Sequence, residues 1–129
     1  MPTSLLLDTH VLLWIAMGDP RLGSNARAAI GDGRRLVFVS AATAWEIAIK
    51  RGLGKLEAPS DYTALLDHYR FASLDVTTEH ALAVETLPDH HRDPFDRMLV
   101  AQAQVEGLTL VSHDARLAAY GVAFVDARS

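Results

Sequence analysis

The chain contains no cysteine. That absence excludes a disulfide framework, a thiolate metal site and a thiol nucleophile, so any metal ion has to be held by oxygen or imidazole ligands. It also fits a reducing cytoplasm. No apolar run is long enough to cross a bilayer, which points away from a membrane. The start, "MPTSLLLD", has neither a basic segment nor a small-residue cleavage site, and Asp8 and His10 interrupt its apolar run, so a signal peptide is not expected. Positive charge is scarce as well: 12 Lys and Arg against 16 Asp and Glu leave a formal charge of −4. Such a balance argues against a broad grip on nucleic acid through counterion release, and any nucleic-acid role has to be local. There is no internal repeat, low-complexity tract or long linker. With 129 residues, half of them hydrophobic, the expectation is one soluble domain over 1–129 that buries about two-thirds of its unfolded surface.

Five short apolar runs, "SLLLD", "LVFVS", "FASLDV", "LTLVS" and "VAFVD", read as strands, and stretches of helical period fill the gaps between them. The punctuation supports the helices. Ser24 is placed to cap "NARAAI" before Gly31, Ser60 to cap "DYTALLDHYR" after Pro59, and Thr78 to start "EHALAVETL" before Pro88. "GLGKLEAPS" is a loop punctuated by Gly and Pro. The strands are nearly continuous in Val, Leu and Phe rather than alternating polar with apolar, which implies burial on both faces. The expected fold is therefore α/β, a three-layer α/β/α sandwich with a central, mainly parallel sheet.

Open parallel sheets place their sites beyond the carboxyl ends of the strands. Asp8 ends the first predicted strand, and Asp114 follows "LTLVS" by way of His113. Glu46 lies in "SAATAWEIAIK", the helix leaving "LVFVS", while Asp93 and Asp96 open the helix "DPFDRMLVAQAQ". Each acid has an ordinary explanation. Asp8 can cap a loop, and Asp93, Asp96 and Asp114 can cap helices, Asp93 all the more because Pro94 follows it. Glu46 can pair with Lys50 four residues on. If Asp8, Glu46, Asp96 and Asp114 converge instead, two bare carboxylates about 4 Å apart repel by roughly 4 kcal/mol at an effective dielectric near 20. A hard divalent cation relieves that repulsion while keeping the acids ionised, and oxygen ligands favour Mg²⁺ or Mn²⁺ over zinc. Such a centre suits phosphodiester hydrolysis, because the metal holds a phosphate oxygen and activates water without a side-chain nucleophile.

Taken together, "LLLDTHVLLW", "VSAATAWEIAIKRGLGKL", "LPDHHRDPFDRMLVAQAQVEGLTLVSHD" and "AAYGV" resemble the PIN-domain family, in particular the VapC-type toxins of bacterial toxin–antitoxin pairs. The resemblance spans nearly the whole chain and is most specific where an acid-headed helix leads to an acid-ended strand. It implies a Mg²⁺-dependent ribonuclease that forms a homodimer and is held inactive by a cognate antitoxin. Promoter DNA would be bound only through the antitoxin complex. On this resemblance Asp8 and Asp96 are primary metal ligands and Asp114 is a ligand directly or through water. Glu46 acts through water or orients the attacking water. Asp93 supports or caps, and Thr9 and Ser112 are placed to hydrogen-bond the ligands.

The basic residues placed to meet RNA are Lys50, Arg51 and Lys55 after Glu46, and Arg92 and Arg97 beside the acidic helix start; Arg97 is equally placed to pair with a carboxylate. Trp14 and Trp45 read as core or interface rather than as platforms for bases. Six histidines raise the alternative of a His-based metallohydrolase, through "DHHRD" and "SHD". The spacing does not favour it: adjacent His90 and His91 diverge, and no i, i+4 pair of a zinc helix is present. His91 and His113 remain candidates to touch phosphate. A haloacid-dehalogenase-type phosphatase needs an acid two residues after Asp8, where His10 stands. A receiver domain lacks its acidic pair and its late lysine. The last alternative is a non-catalytic binding module that keeps the fold and the antitoxin partner.

Overall fold

The computed structural model describes residues 3–56, 58 and 61–129. All five expected strands form: β1 (Leu5–Leu7), β2 (Val37–Ser40), β3 (Ala72–Leu74), β4 (Thr109–Ser112) and β5 (Phe124–Asp126). They make one parallel sheet in the order β3-β2-β1-β4-β5. In β1, Leu5, Leu6 and Leu7 pair with Val37, Phe38 and Val39 on one side and with Thr109, Leu110 and Val111 on the other. Among the described residues no helix is long and apolar enough to cross a membrane.

The side chains of β1 show why the strands read as continuous hydrophobic runs. Leu5 and Leu7 point into one apolar cluster and Leu6 into another, on opposite faces of the sheet. All three are fully buried, so neither face has room for a polar residue. The first cluster is covered by α1 (Thr9–Met17), α2 (Ser24–Ile30), α3 (Ala41–Gly52) and α4 (Tyr62–Tyr69), through Leu12, Trp14, Ala26, Ile47 and Leu66. The second is covered by α5 (Thr78–Ala83), α6 (Pro94–Glu106) and a 3-10 turn at Ala115–Tyr120, through Leu99, Val100, Ala103 and Leu117. This is the expected three-layer α/β/α sandwich, with an all-parallel sheet.

The chain leaves β1 toward β2 on one side and returns to β4 on the other. The order of strands therefore reverses between β1 and β4, and the crevice lies at their carboxyl ends. Asp8 immediately follows β1 and Asp114 comes two residues after β4, so the topology brings together two acids separated by most of the chain.

Helix caps differ from the sequence reading in detail. Thr78 is the first helical residue of α5, and its cap is Thr77, in a reciprocal arrangement: the His80 N–H donates to Thr77 Oγ1 at 3.2 Å, and the Thr77 N–H donates to His80 Nδ1 at 3.0 Å. Asp61 caps α4 by accepting from the Ala64 N–H at 3.0 Å; Ser60, the expected cap, lies outside the described residues. Ser24 does not cap α2 but is its first residue. The cap position is Gly23, and the free amides of Asn25 and Ala26 donate to the backbone oxygen of Ser129 at 2.9 and 3.4 Å. A partner so distant in sequence cannot be read locally.

This close approach explains the glycine. A Cβ at position 23 would lie 1.9 Å from the Ser129 oxygen, so Gly23→Ala has to push the end of the chain off α2. Losing such a cap costs about 1–2 kcal/mol, and we expect urea unfolding of Gly23→Ala to show that loss with an unchanged denaturant slope.

Candidate active site

Asp8 is almost completely buried, at 1% exposure, and its two carboxylate oxygens do different work. Oδ1 caps α1 by accepting from the Val11 N–H at 2.8 Å. Oδ2 faces β4 and accepts from the Ser112 hydroxyl at 2.6 Å, His113 Nδ1 at 3.1 Å and the His113 N–H at 3.4 Å. The hydrogen bond that the His113 ring donates to Asp8 favours its protonated form and raises its pKa above the usual value. His10 stacks against that ring at 4.3 Å, and burial and the neighbouring His113 lower its pKa.

Glu46 reaches the same rim from α3 and is also buried. Thr9, the residue after Asp8, donates its hydroxyl to Glu46 Oε1 at 2.6 Å, and Lys50 Nζ lies 2.5 Å from Oε2. The expected i, i+4 pair with Lys50 therefore exists, but its acid is inside the protein. Glu46 holds the Lys50 ammonium, raising its pKa, with smaller contributions from Asp93 and Asp96.

Asp93 caps α6, accepting from the Phe95 and Asp96 amides at 2.8 and 3.1 Å, with Pro94 at the first helical position. Asp96 is one turn further in. Among the described residues its carboxylate accepts no hydrogen bond, and His91 Nε2 stands 3.6 Å away. Burial, then the charges of Asp93, Asp8 and Glu46, push its pKa up to about 7, against a smaller opposing pull from His91.

Asp114 closes the group. It caps the 3-10 turn through the Arg116 N–H at 3.0 Å and holds the Arg116 guanidinium in a fork, with Nε 3.0 Å from Oδ1 and Nη2 2.8 Å from Oδ2. His91 Nε2 adds a contact to Oδ2 at 2.8 Å. Arg116 first, then His91, hold this carboxyl well below the usual range. His91, Asp96 and Asp114 each offer a ligand atom within 4.8 Å of the others, the set among the described residues able to surround a cation.

The structure groups Asp96 and Asp114 with His91 within 4.8 Å, outside which Asp8, bonded by Ser112, and Glu46, bonded by Thr9, stand at the same edge of the sheet. Other expectations need revision. Arg97 meets neither a carboxylate nor the open rim; it turns back to the carbonyls of Pro88, His91, Val84 and Leu87 at 3.0–3.4 Å and to the Tyr120 hydroxyl at 3.2 Å. It braces the loop before α6. Arg51, Lys55 and Arg92 are exposed on the surface. The histidine reading missed the role of His91. Its Nδ1 accepts from the Asp93 N–H at 3.1 Å, which leaves the proton on Nε2, facing Asp114. Wired this way the ring donates to the acid, and Nε2 would have to give up that proton to bind a metal. Arg116 was missed as well, although the Asp-x-Arg spacing recurs with the same fork at Asp19 and Arg21 and at Asp32 and Arg34.

Trp14 is core, as expected, whereas Trp45 is 63% exposed. Its ring meets Phe95 edge-on at 5.2 Å beside a groove of about 570 Å³, lined also by Val76, Ala81, Val84 and Met98.

A profile of the PIN domain matches residues 5–123. The chain belongs to the PIN-domain family. It is 30% identical over 119 residues to Ribonuclease VapC22 of Mycobacterium tuberculosis, spanning 89% of this chain and 90% of that protein. Its fold resembles that of VapBC2 from Rickettsia felis, solved bound to a DNA fragment from its promoter, with a TM-score of 0.71, 14% identity and coverage of 95% and 97%. It resembles equally that of DNA-bound VapBC from Salmonella typhimurium, with a TM-score of 0.68, 21% identity and coverage of 97% and 98%.

The raised pKa of Asp96 has a measurable cost. Between about pH 4 and pH 7 the unfolded chain ionises this carboxyl while the folded protein keeps it protonated, so stability declines across that window and levels above it. The depressed carboxyl of Asp114 acts below the window. His113 adds a decline at its upper edge. In chelator-treated protein we expect urea unfolding to show that decline, reduced in Asp96→Asn by up to about 1.4 kcal/mol per pH unit. Identical pH profiles for the two proteins would contradict the assignment.

Proposed function

We propose that this PIN-domain protein is a metal-dependent endoribonuclease of the VapC type, the toxin of a toxin–antitoxin pair. The observation that carries the reading is the group of Asp96, Asp114 and His91 within 4.8 Å at the sheet edge that Asp8 and Glu46 also reach, in a chain 30% identical over most of its length to a VapC ribonuclease. The donor set fits a hard divalent ion. It is rich in oxygen, its histidine faces an acid as a donor, and Asp96 is a half-buried carboxylate that accepts no hydrogen bond among the described residues.

In this reading Asp96 and Asp8 hold Mg²⁺, or Mn²⁺ in its place, with Asp114 and Glu46 as further ligands or through water. The bound ion supplies a water activated at neutral pH and offsets charge on the phosphate. Thr9 and Ser112 hold Glu46 and Asp8 in place, Asp93 fixes the start of α6, and Lys50, Arg51 and Arg92 stand at the edges where an RNA backbone can be met. The cellular setting is the cytoplasm, and the cognate antitoxin is the protein partner. Two structural relatives are VapBC complexes bound to DNA. With a charge of −4, this chain would reach promoter DNA through the antitoxin rather than by its own surface. The groove beside Trp45 and Phe95 is where a second copy would pack in a homodimer.

Purified protein should cut RNA in Mg²⁺, stop when the metal is chelated, and lose about two orders of magnitude or more of its rate in Asp8→Asn and Asp96→Asn. Cleavage surviving both chelation and substitution would refute the reading. Folded protein that binds antitoxin yet never cuts RNA would make it a binding module. For the groove, we expect Trp45→Glu to convert a dimer to a monomer by light scattering without loss of helical signal. An unchanged mass would place the dimer contact elsewhere.

A further inference from the structure

We infer that Arg116 is a built-in counter-ion which holds Asp114 in the metal-free protein and competes with the divalent cation for that carboxylate. The inference rests on the metal-centre reading above and concerns how that centre is filled. A carboxylate has about four lone-pair positions. At Asp114 all four are met: Oδ1 accepts from the backbone N–H and Nε of Arg116, and Oδ2 accepts from Arg116 Nη2 and His91 Nε2. The guanidinium also approaches the imidazole, at 3.1 Å between Nη2 and Nε2, so both cover Oδ2. A cation bound directly by Asp114 has to displace one of them.

Arg116 is the one that can leave. The His91 ring is buried and tied at its far side to the Asp93 amide, whereas the Arg116 side chain is 70% exposed, and withdrawing it uncovers little surface. The fork itself arises locally, since the same Asp-x-Arg spacing gives it at Asp19 and Arg21 and at Asp32 and Arg34. Only its location differs: Asp114 shares a span of 4.8 Å with His91 and Asp96. A local turn therefore places a removable charge on one acid of the pocket, while Asp96 is left without any donor.

The test is Mn²⁺ titration of wild type, Arg116→Gln and Arg116→Lys in the absence of RNA, followed by electron paramagnetic resonance of the free ion. Competition predicts affinity about three- to tenfold tighter in Arg116→Gln. Arg116→Lys, which keeps the charge but loses the fork, should also bind more tightly than wild type. Unchanged or weaker affinity in Arg116→Gln overturns the inference, as does tightening in Arg116→Gln with none in Arg116→Lys, which would show a distant field effect. No Mn²⁺ binding by any of the three folded proteins would refute the metal reading itself and the inference with it. Should Arg116→Gln fail to fold, the ¹⁵N resonance of Arg116 Nε in wild type decides. It should shift as Mg²⁺ saturates the protein, and a resonance that stays fixed overturns the competition.

Discussion

Mutual repulsion among carboxylates at the rim of the sheet is the constraint on which the rest depends. Topology forces the acids together: β1 and β4 are hydrogen-bonded neighbours, so the residues after their carboxyl ends cannot separate. The chain meets the repulsion with a different donor set for each acid. Asp8 has amides, a hydroxyl and an imidazole; Glu46 has a hydroxyl and an ammonium; Asp114 has a guanidinium and an imidazole. Asp96 accepts no hydrogen bond among the described residues, has only the His91 imidazole 3.6 Å away, and its pKa is pushed up to about 7. A pocket that leaves one acid unsatisfied is poised to take up a cation, because the ion replaces a proton at one acid and completes the neutralisation of the others.

That arrangement draws on the rest of the fold. An unsatisfied, partly buried carboxyl destabilises the folded state, and here it is tolerated beside a β1 whose three leucines are wholly enclosed by two apolar clusters. The loop before α6 is braced in proportion to the charge it must position. Arg97 ties it to four backbone carbonyls, and His91 to the Asp93 amide. Substitutions that loosen these ties would move Asp96 relative to Asp114 without touching either.

How much of this was legible in the sequence depends on the distance over which each feature is determined. The strands and the parallel sheet were readable because burial on both faces leaves uninterrupted runs of Leu, Val and Phe. The acids were readable as a set because strand ends and helix starts meet at a known edge of such a sheet. Asp8 and Asp114 are also caps, as their ordinary explanation expected, whereas the cap of α6 is Asp93 and not Asp96: Asp8 gives one oxygen to α1 and the other to the pocket. The Glu46–Lys50 pair was readable from its spacing, but the partners of Asp114 and Arg97 stayed hidden. Arg97 looks like a neighbour of Asp96 in sequence, yet on the helix it points to the preceding loop. Trp45 and Glu46 are consecutive, but about 100° of helical rotation sends one to solvent and the other into the pocket. Ser129 caps α2 across more than a hundred residues, beyond any local rule.

The identity of the cation at each acid also bears on control. The pocket already holds an ammonium on Glu46 and a guanidinium on Asp114, supplied by the chain itself. Nothing in a carboxylate distinguishes a cation of the same chain from one of another, apart from geometry and desolvation. A partner protein that brings an Arg or Lys to the rim would therefore use chemistry the pocket is already built to accept, and Asp96 is the acid with vacant lone pairs to receive it. A metal ion and such a side chain cannot both neutralise Asp96. On the nuclease reading, activation by the ion and inhibition by an antitoxin then become one competition for a single half-buried carboxylate, with its outcome set by how much further surface the antitoxin can bury.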